Sequence, residues 1–225
     1  HRQLPAAARA RSDPPVRPLA RHRWPVHLEH GRVLLRPLRR ADERAWNEVR
    51  RRNAAWTGPW DSTRPPESTD APITFPQMVG EFTREARAGR MLPWAITYRP
   101  PDADAHVFAG QLTVSGIAYG SARWGMAGYW VDRRWAGRGL APTALALAGD
   151  FLFGGLRLHR LEVAIRPENA NSLRVVEKLG LRCEGPRPAY LHVDGAWRDH
   201  LMFAVHADEV GPAGLVGRLP SATPS

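Results

Sequence analysis

The sequence predicts a single α/β domain of the α+β kind, in which helices flank a mixed, mostly antiparallel central sheet. Three extended apolar segments follow one another between residues 92 and 131, joined by short polar or glycine-bearing links, and this is typical of an antiparallel meander. A helical apolar period then runs to Phe153, and a short strand follows at 160–165. A strand that returns after a helix lies parallel to its predecessor, so the sheet should contain one parallel pair.

The composition limits the classes of protein to which this chain can belong. The 225 residues, 43% hydrophobic, suit one domain with tails. No apolar run could span a bilayer and no signal-peptide core is present, so we expect a cytoplasmic protein without a membrane partner. A single cysteine, Cys183, excludes a disulfide framework. The net charge of +10 is nearly all arginine and scattered; we interpret it as codon preference, with a weak RNA contact through the N-terminal arm left open.

The domain boundaries follow from local composition. Residues 1–25 are rich in proline, alanine and arginine without periodicity, which predicts a basic, disordered arm. Residues 26–206 form the predicted folded domain. Residues 207–225 are rich in glycine, proline and alanine, and we expect a flexible tail there.

The first half of the domain begins with a predicted strand at 32–38. The helix after it places Ala45, Trp46 and Val49 on one face. Residues 53–73 read as a long loop with two tryptophans, and a loop of this length in a compact domain is more often functional than idle. Thr74 and Gln77 then fit the capping box of a further helix.

The second half ends in a helix at 169–179 and a strand hairpin. Asp194-Gly195 is a strong signal for a two-residue turn. With that turn, His192 pairs with Trp197 and Tyr190 pairs with Asp199, which places all four side chains on one face.

The segment from Tyr129 to Phe153 carries the strongest functional signal. A hydrophobic strand enters a turn that contains Gly137 and Gly139, and the turn opens into a helix. Bare amides at a helix start attract anions, and Arg134 and Arg138 add positive charge. A dinucleotide fingerprint would need a glycine where Pro142 stands, and a P-loop would need a Gly-Lys pair. The turn therefore predicts a different site for a phosphate-bearing ligand.

Three sequence features resemble one family. The pattern Arg134-x-x-Gly137-x-Gly139 resembles the pyrophosphate loop of the GCN5-related N-acetyltransferase (GNAT) superfamily. The run Asn169-x-x-Ser172, followed by a Leu-Gly-Leu ending at 179–181, is similar to its second signature. Residues 190–200 are similar to the RimJ/RimL type, the N-terminal alanine acetyltransferases of ribosomal proteins, and to the RimJ branch most. The resemblance spans about 32–205.

This resemblance implies a GNAT domain whose parallel strand pair is splayed, with acetyl-CoA as co-substrate and no metal. The asparagine holds the pantetheine arm and the serine lies near the thioester sulfur. The implied cofactor-binding residues are Trp130, Val131, Arg134, Gly137, Arg138, Gly139, Leu140, Ala141, Asn169 and Ser172.

Candidates for proton transfer are less well defined. An α-amine has a reference pKa of about 7.7–8.0, so a strong base is not required. Glu162 is the first candidate, because related alanine acetyltransferases use a Glu on this strand, although it sits two residues further from Asn169; Asp199 is the second. Many GNAT enzymes protonate the thiolate with a tyrosine where this chain has Val176. Ser172 is therefore the better candidate for that role, with Tyr190 in reserve.

Three functions fit these features. The first is acetyl transfer to a protein N-terminus of the ribosomal-protein type, favoured by an aromatic cleft formed by Trp56, Trp60, Trp197 and Tyr190. The second is acetylation of a small amine, antibiotic or toxic peptide, since one fold supports many acceptors. The third is a catalytically silent CoA-binding module that docks on ribosomes. The histidines show no metal-binding spacing, and the acceptor and the oligomeric state stay open.

Overall fold

A sheet of eight strands runs through the protein. The computed structural model describes residues 24–69 and 71–220. The strands lie in the order β1-β2-β3-β4-β5-β6-β8-β7, and only β5 and β6 are parallel neighbours. Their bounds are β1 Leu28–His30, β2 Val33–Pro37, β3 Leu92–Tyr98, β4 Val107–Ala118, β5 Trp124–Val131, β6 Arg160–Ile165, β7 Arg182–Val193 and β8 Ala196–His206. The predicted fold class is confirmed.

Five α-helices connect the strands: α1 Glu43–Arg52, α2 Ala54–Thr57, α3 Phe75–Arg87, α4 Leu140–Gly154 and α5 Ala170–Lys178. The predicted capping box of α3 is present, since the Gln77 amide donates to Thr74 Oγ1 at 3.4 Å and the Thr74 amide donates to Gln77 Oε1 at 2.8 Å. The short α2 and a 3-10 turn, Gly58–Trp60, lie inside the segment predicted as a loop.

Each face of the sheet has its own core. On one face, α4 and α5 pack over fully buried side chains of the sheet such as Trp94, Ile96 and Leu161. On the other face, α1 and α3 enclose a smaller cluster that includes Val49 and Phe75. The helix α4 is apolar on nearly all sides, as expected of a helix at the centre of a core.

The parallel pair of strands diverges along its length. The last paired residues of β5 and β6 are Met126 and Glu162, whereas β5 continues to Val131 and β6 to Ile165. The backbone groups of the unpaired ends cannot bond each other across the gap. This splay positions the candidate site and agrees with the splayed pair that the resemblance implied.

The C-terminal segment is packed, so the predicted flexible tail is wrong for residues 207–220. Leu215 is fully buried against the α4 side of the sheet. Asp150 on α4 accepts the amides of Leu215 at 2.6 Å and Val216 at 3.1 Å, and Arg218 Nη1 donates to the Leu179 carbonyl at 2.7 Å. The few apolar residues of this segment stand among glycines and prolines without a helical or strand period, which is why composition alone suggested mobility.

Of the predicted N-terminal arm, residues 1–25, the structure describes only the last two residues. Residues 1–23 lie outside the described residues, so a disordered arm stays a prediction there. Trp24 and Pro25 belong to the folded part, because the Trp24 ring lies 5.8 Å from that of Trp94. The Trp94 indole also donates to the Val26 carbonyl at 3.0 Å.

Candidate active site

The phosphate turn has the backbone that its glycines predict. Gly137 and Gly139 both adopt φ +79, a left-handed conformation that β-branched residues do not reach without strain. Gly139 precedes α4, and its carbonyl accepts the first helical hydrogen bond from the Thr143 amide at 3.0 Å. The turn therefore presents backbone amides at the positive end of a long helix.

A buried carboxylate anchors this turn. Asp132 is fully buried and accepts hydrogen bonds from Arg52 Nη2 at 2.5 Å, Asn53 Nδ2 at 2.9 Å and the Arg134 amide at 3.2 Å. Burial alone would raise the pKa of Asp132, but the hydrogen bonds from Arg52, Asn53 and Arg134 outweigh it and lower the pKa to about 2. The charged carboxylate fixes the turn to the end of α1.

A cleft of about 470 Å³ starts at the turn and enters the splay. Eight of the ten predicted cofactor-binding residues line it: Trp130, Val131, Gly137, Gly139, Leu140, Ala141, Asn169 and Ser172. The two predicted arginines do not. Arg134 Nε pairs with Asp132 at 3.1 Å, and the Arg138 guanidinium lies over the Trp135 ring at 5.5 Å.

The cations on the cleft wall come from α5 instead. Arg174 and Lys178 line the cleft and are exposed. They stand four residues apart, on one face of the helix that starts at the second signature. That spacing is present in the sequence, but no phosphate-binding motif marks it.

Three polar groups meet inside the splay. Asn169 Oδ1 caps α5 by accepting the Ser172 amide at 3.2 Å. Ser172 itself lines the cleft. Tyr129 lines the same cleft from β5, and the sequence analysis had not selected it.

Aromatic and polar residues between α1 and α3 form the opposite wall, the acceptor wall. Trp56, Trp60, Asp61 and Ser62 line the cleft there. The Trp56 indole donates to the Val131 carbonyl at 3.3 Å. Asp61 is the only carboxylate among the described residues that line this cleft, and it pairs with Arg50, whose Nη1 lies 3.1 Å from Asp61 Oδ1.

Backbone pairing joins this wall to the terminal hairpin. The Thr63 amide donates to the His192 carbonyl at 2.9 Å, and the Asp194 amide donates to the Asp61 carbonyl at 3.1 Å. Ser62 forms a bridge with Val193. Two segments far apart in the sequence therefore form one continuous frame beside the cleft.

The hairpin itself departs from the predicted register. The pairs around the Asp194-Gly195 turn are as predicted, but a bulge lies between Arg187 and Leu191. The Asp199 carboxylate accepts the Ala189 amide there at 2.8 Å, and Tyr190 packs against His200. The predicted pairing of Tyr190 with Asp199 is therefore wrong, and neither residue lines the cleft. Trp197 is 56% exposed and also lies outside it.

Glu162 lies at the closed end of the splay and does not line the cleft. Its carboxylate accepts from Arg160 Nε at 2.6 Å, and Arg160 also pairs with Glu184. Both carboxylates raise the pKa of Arg160, and Arg160 lowers the pKa of Glu184 to about 2. The geometry makes Glu162 part of an ion-pair network, which argues against its role as a base.

We expect Glu162→Gln to change stability more than catalysis. The amide keeps the shape but weakens one charged hydrogen bond, at a cost of about 1.5 kcal/mol in the free energy of unfolding. Urea unfolding should show this loss, while kcat stays within about threefold of the wild type. Glu184→Gln, which alters the other partner of Arg160, is the matched control. A fall in kcat of about 100-fold or more in Glu162→Gln alone would restore Glu162 as the base.

One group of metal-binding residue types lies outside the cleft. Ligand atoms of His159, His206 and Asp208 come within 4.8 Å of one another. However, Arg160 Nη1 lies 2.9 Å from His206 Nε2 and occupies that nitrogen's direction. The absence of a metal stays a prediction.

Fold and site together define a class of protein. Residues 32–182 match the model of the acetyltransferase (GNAT) domain. The chain belongs to the GNAT acetyltransferase family, and it is an acyltransferase that acts on an amine nitrogen. No helix in the described ranges has the length and apolar character needed to cross a membrane.

Within this family, the chain is similar to several named proteins. RimJ of Mycobacterium smegmatis, solved in complex with CoA-disulfide, is 37% identical, with a TM-score of 0.77 over 87% of this chain and 93% of that one. The ribosomal protein uS5-alanine N-acetyltransferase of Escherichia coli is 26% identical over 83% of this chain and 94% of its own. YjcK of Bacillus subtilis, named a probable N-acetyltransferase, is 33% identical over 43% of this chain, and the match spans 53% of its length. These similarities confirm the resemblance to the RimJ/RimL type.

Proposed function

We propose that this enzyme transfers acetyl from acetyl-CoA to the N-terminal α-amine of a protein, of the ribosomal-protein type. The charge of the acceptor wall supports this proposal best. Its carboxylate, Asp61, is already paired with Arg50. The described cleft thus offers no unpaired negative charge for a polyamine, whereas a single neutral amine on a peptide needs none. The names of the RimJ and uS5-alanine relatives support the same acceptor class, and such an acceptor would place the enzyme in the cytoplasm.

The cleft residues suit acetyl-CoA as the donor. The amides between Gly137 and Ala141 would bind the pyrophosphate, and Arg174 and Lys178 would bind the remaining phosphate. The side-chain NH2 group of Asn169, whose Oδ1 caps α5, and the backbone of β5 beyond its last residue paired with β6 would hold the pantetheine arm. The splay therefore brings the thioester beside the acceptor wall.

The acceptor itself lowers the demand for a base. With a pKa of about 7.7–8.0, about a tenth to a fifth of an α-amine is already neutral at pH 7. Water in the cleft can take the proton of the rest, and Asp61, which lines the cleft, would orient that water. A lysine side chain, with a pKa of about 10.4, would be a much poorer acceptor in this site.

A panel of acceptors tests the proposal. Thiol release from acetyl-CoA is measured with peptides that begin with Ala, Ser, Met or Lys, and with the same peptides acetylated in advance at the α-amine. We expect turnover on free Ala- and Ser-starting peptides, and less than about 1% of that rate when only a lysine side chain is free. Spermidine and an aminoglycoside form the comparison set.

Each alternative function makes a different prediction in this panel. Preferred turnover on spermidine or the aminoglycoside would assign the enzyme to small-amine acetylation. Binding of acetyl-CoA without any turnover would favour the silent ribosome-docking module. Deletion of residues 1–23 should leave peptide turnover unchanged under our proposal.

A further inference from the structure

The splay contains a polar group without a structural task. The hydroxyl oxygen of Tyr129 is shielded from solvent, and no described residue forms a hydrogen bond of normal geometry with it. Buried hydroxyls in folded proteins are nearly always bonded, because leaving one unpaired is costly. An unpaired hydroxyl at the edge of a substrate cleft indicates a role when acetyl-CoA is bound.

The polar side chain that interacts with this hydroxyl is that of Ser172. Tyr129 pairs with Leu112 on β4 and lies in the part of β5 that is not paired with β6. The residue also lines the cleft. Burial raises the pKa of Tyr129 well above its ordinary value, and a contact with the Ser172 hydroxyl acts in the opposite direction. The two side chains thus adjoin each other inside the splay, and both residues line the cleft.

The next turn of α5 supplies no hydrogen-bond partner for the Ser172 hydroxyl. Val176, one turn after Ser172, is fully buried and has no polar side-chain atom. The amide of Ser172 is already bonded to Asn169. The Tyr129 hydroxyl is thus a group outside α5 that can orient the Ser172 hydroxyl.

We propose that Tyr129 is a positioning residue for Ser172. Its hydroxyl donates a hydrogen bond to Ser172 Oγ, so that the Ser172 O–H is directed into the cleft toward the thioester sulfur. This inference rests on the proposed direct transfer of acetyl to an amine. Serial hydrogen bonds polarise one another, so the outer hydroxyl becomes a better donor.

The step balances without another reactant. The amine nitrogen forms the new C–N bond, the C–S bond breaks, and its electron pair stays on sulfur. Ser172 stabilises that charge by donating to the sulfur. The nitrogen loses one proton and the sulfur gains one, so the products are an amide and a free thiol. Tyr129 keeps its proton throughout.

A double-mutant cycle tests the proposal. Tyr129→Phe, Ser172→Ala and the double variant are compared for kcat, for KM and for the Kd of CoA measured by calorimetry. We expect about a tenfold lower kcat in each single variant, and in the double variant no lower kcat than in Ser172→Ala. KM and the Kd of CoA should change less than about twofold. The pH profile of kcat should keep its shape, because Tyr129 does not ionise.

Tyr119→Phe is the matched control. The Tyr119 hydroxyl also has a raised pKa through burial, but it donates to the Gly89 carbonyl at 3.0 Å, away from the cleft. Its removal should lower stability and leave kcat unchanged.

Two results would overturn the inference. One is an unchanged kcat in a folded Tyr129→Phe protein. The other is a double variant whose loss equals the product of the single losses, since independent effects would exclude action through Ser172. The same cycle is measured on the slow release of thiol from acetyl-CoA without a peptide, which has the same leaving group. That second assay tests Tyr129 even if no peptide is acetylated.

Discussion

Gly139→Val is expected to weaken acetyl-CoA binding on the order of 100-fold without unfolding the protein. At φ +79 a β-branched residue costs about 1–2 kcal/mol, which the turn can relieve only by rotating its amides away from the ligand. Each charge-assisted hydrogen bond lost adds about 1.5–3 kcal/mol. No atom lies within 4 Å of the position that a Cβ would take, so the fold itself has room for the side chain. Calorimetry with CoA and a thermal melt measure the two effects.

Gly120→Val separates strain from ligand binding. Gly120 also has a positive φ, +69, and open space around it, but it lies in the β4–β5 link and does not line the cleft. The Gly120→Val protein should lose about as much stability as Gly139→Val and should bind CoA with the affinity of the wild type. Normal CoA affinity in a folded Gly139→Val protein would refute the phosphate-turn interpretation.

Asp132→Ala is expected to lower the free energy of unfolding by about 3 kcal/mol. The change leaves the guanidinium of Arg52 and the buried amide of Asn53 without their acceptor, and breaking a buried pair from one side has costs of this order. CoA binding should weaken as well, because Asp132 fixes the turn. Urea unfolding at pH 7 and calorimetry measure the two losses. Glu48→Gln is the control, since Glu48 pairs with the same arginine at 2.9 Å but is exposed and should cost less than about 1 kcal/mol.

The contribution of Asp132 also has a defined pH range. Its pKa falls from 3.8 to about 2 on folding, so the stabilisation is complete above pH 3.8 and disappears as the pH falls through about 2. The stability difference between the wild type and Asp132→Asn should therefore be constant at neutral pH and shrink in that acid range. A difference that did not depend on pH would show that shape, and not charge, accounts for the role of Asp132.

The sequence could predict what is local. The three extended apolar segments that form β3 to β5, the glycine pair at 137 and 139, and the cap at Thr74 are each encoded within a short stretch, and the structure confirms them as structural features. The strand β1 was missed, because three residues are too short to show a period.

Contacts between segments that are far apart in the chain could not be predicted from the sequence. Asp61 reaches the cleft only because its loop pairs with the terminal hairpin, and no local pattern records that pairing. The bulge that separates Tyr190 from Asp199 depends on the left-handed backbone of Ala189, a residue type that gives no warning of it. Arg134 was assigned to phosphate, but the buried Asp132 two residues before it takes its side chain. Which partner a charged side chain takes depends on the groups that surround it in the folded protein, and the sequence alone does not show them.

The pairing of the 61–63 loop with the hairpin turn also constrains how an acceptor can enter. The bridge between Ser62 and Val193, with the backbone hydrogen bonds beside it, ties this loop to a strand of the sheet, so the wall is a fixed part of the fold and not a hinged cover. We therefore expect the cleft to keep its width when an acceptor enters. A fixed opening favours a narrow chain end over the middle of a folded polypeptide.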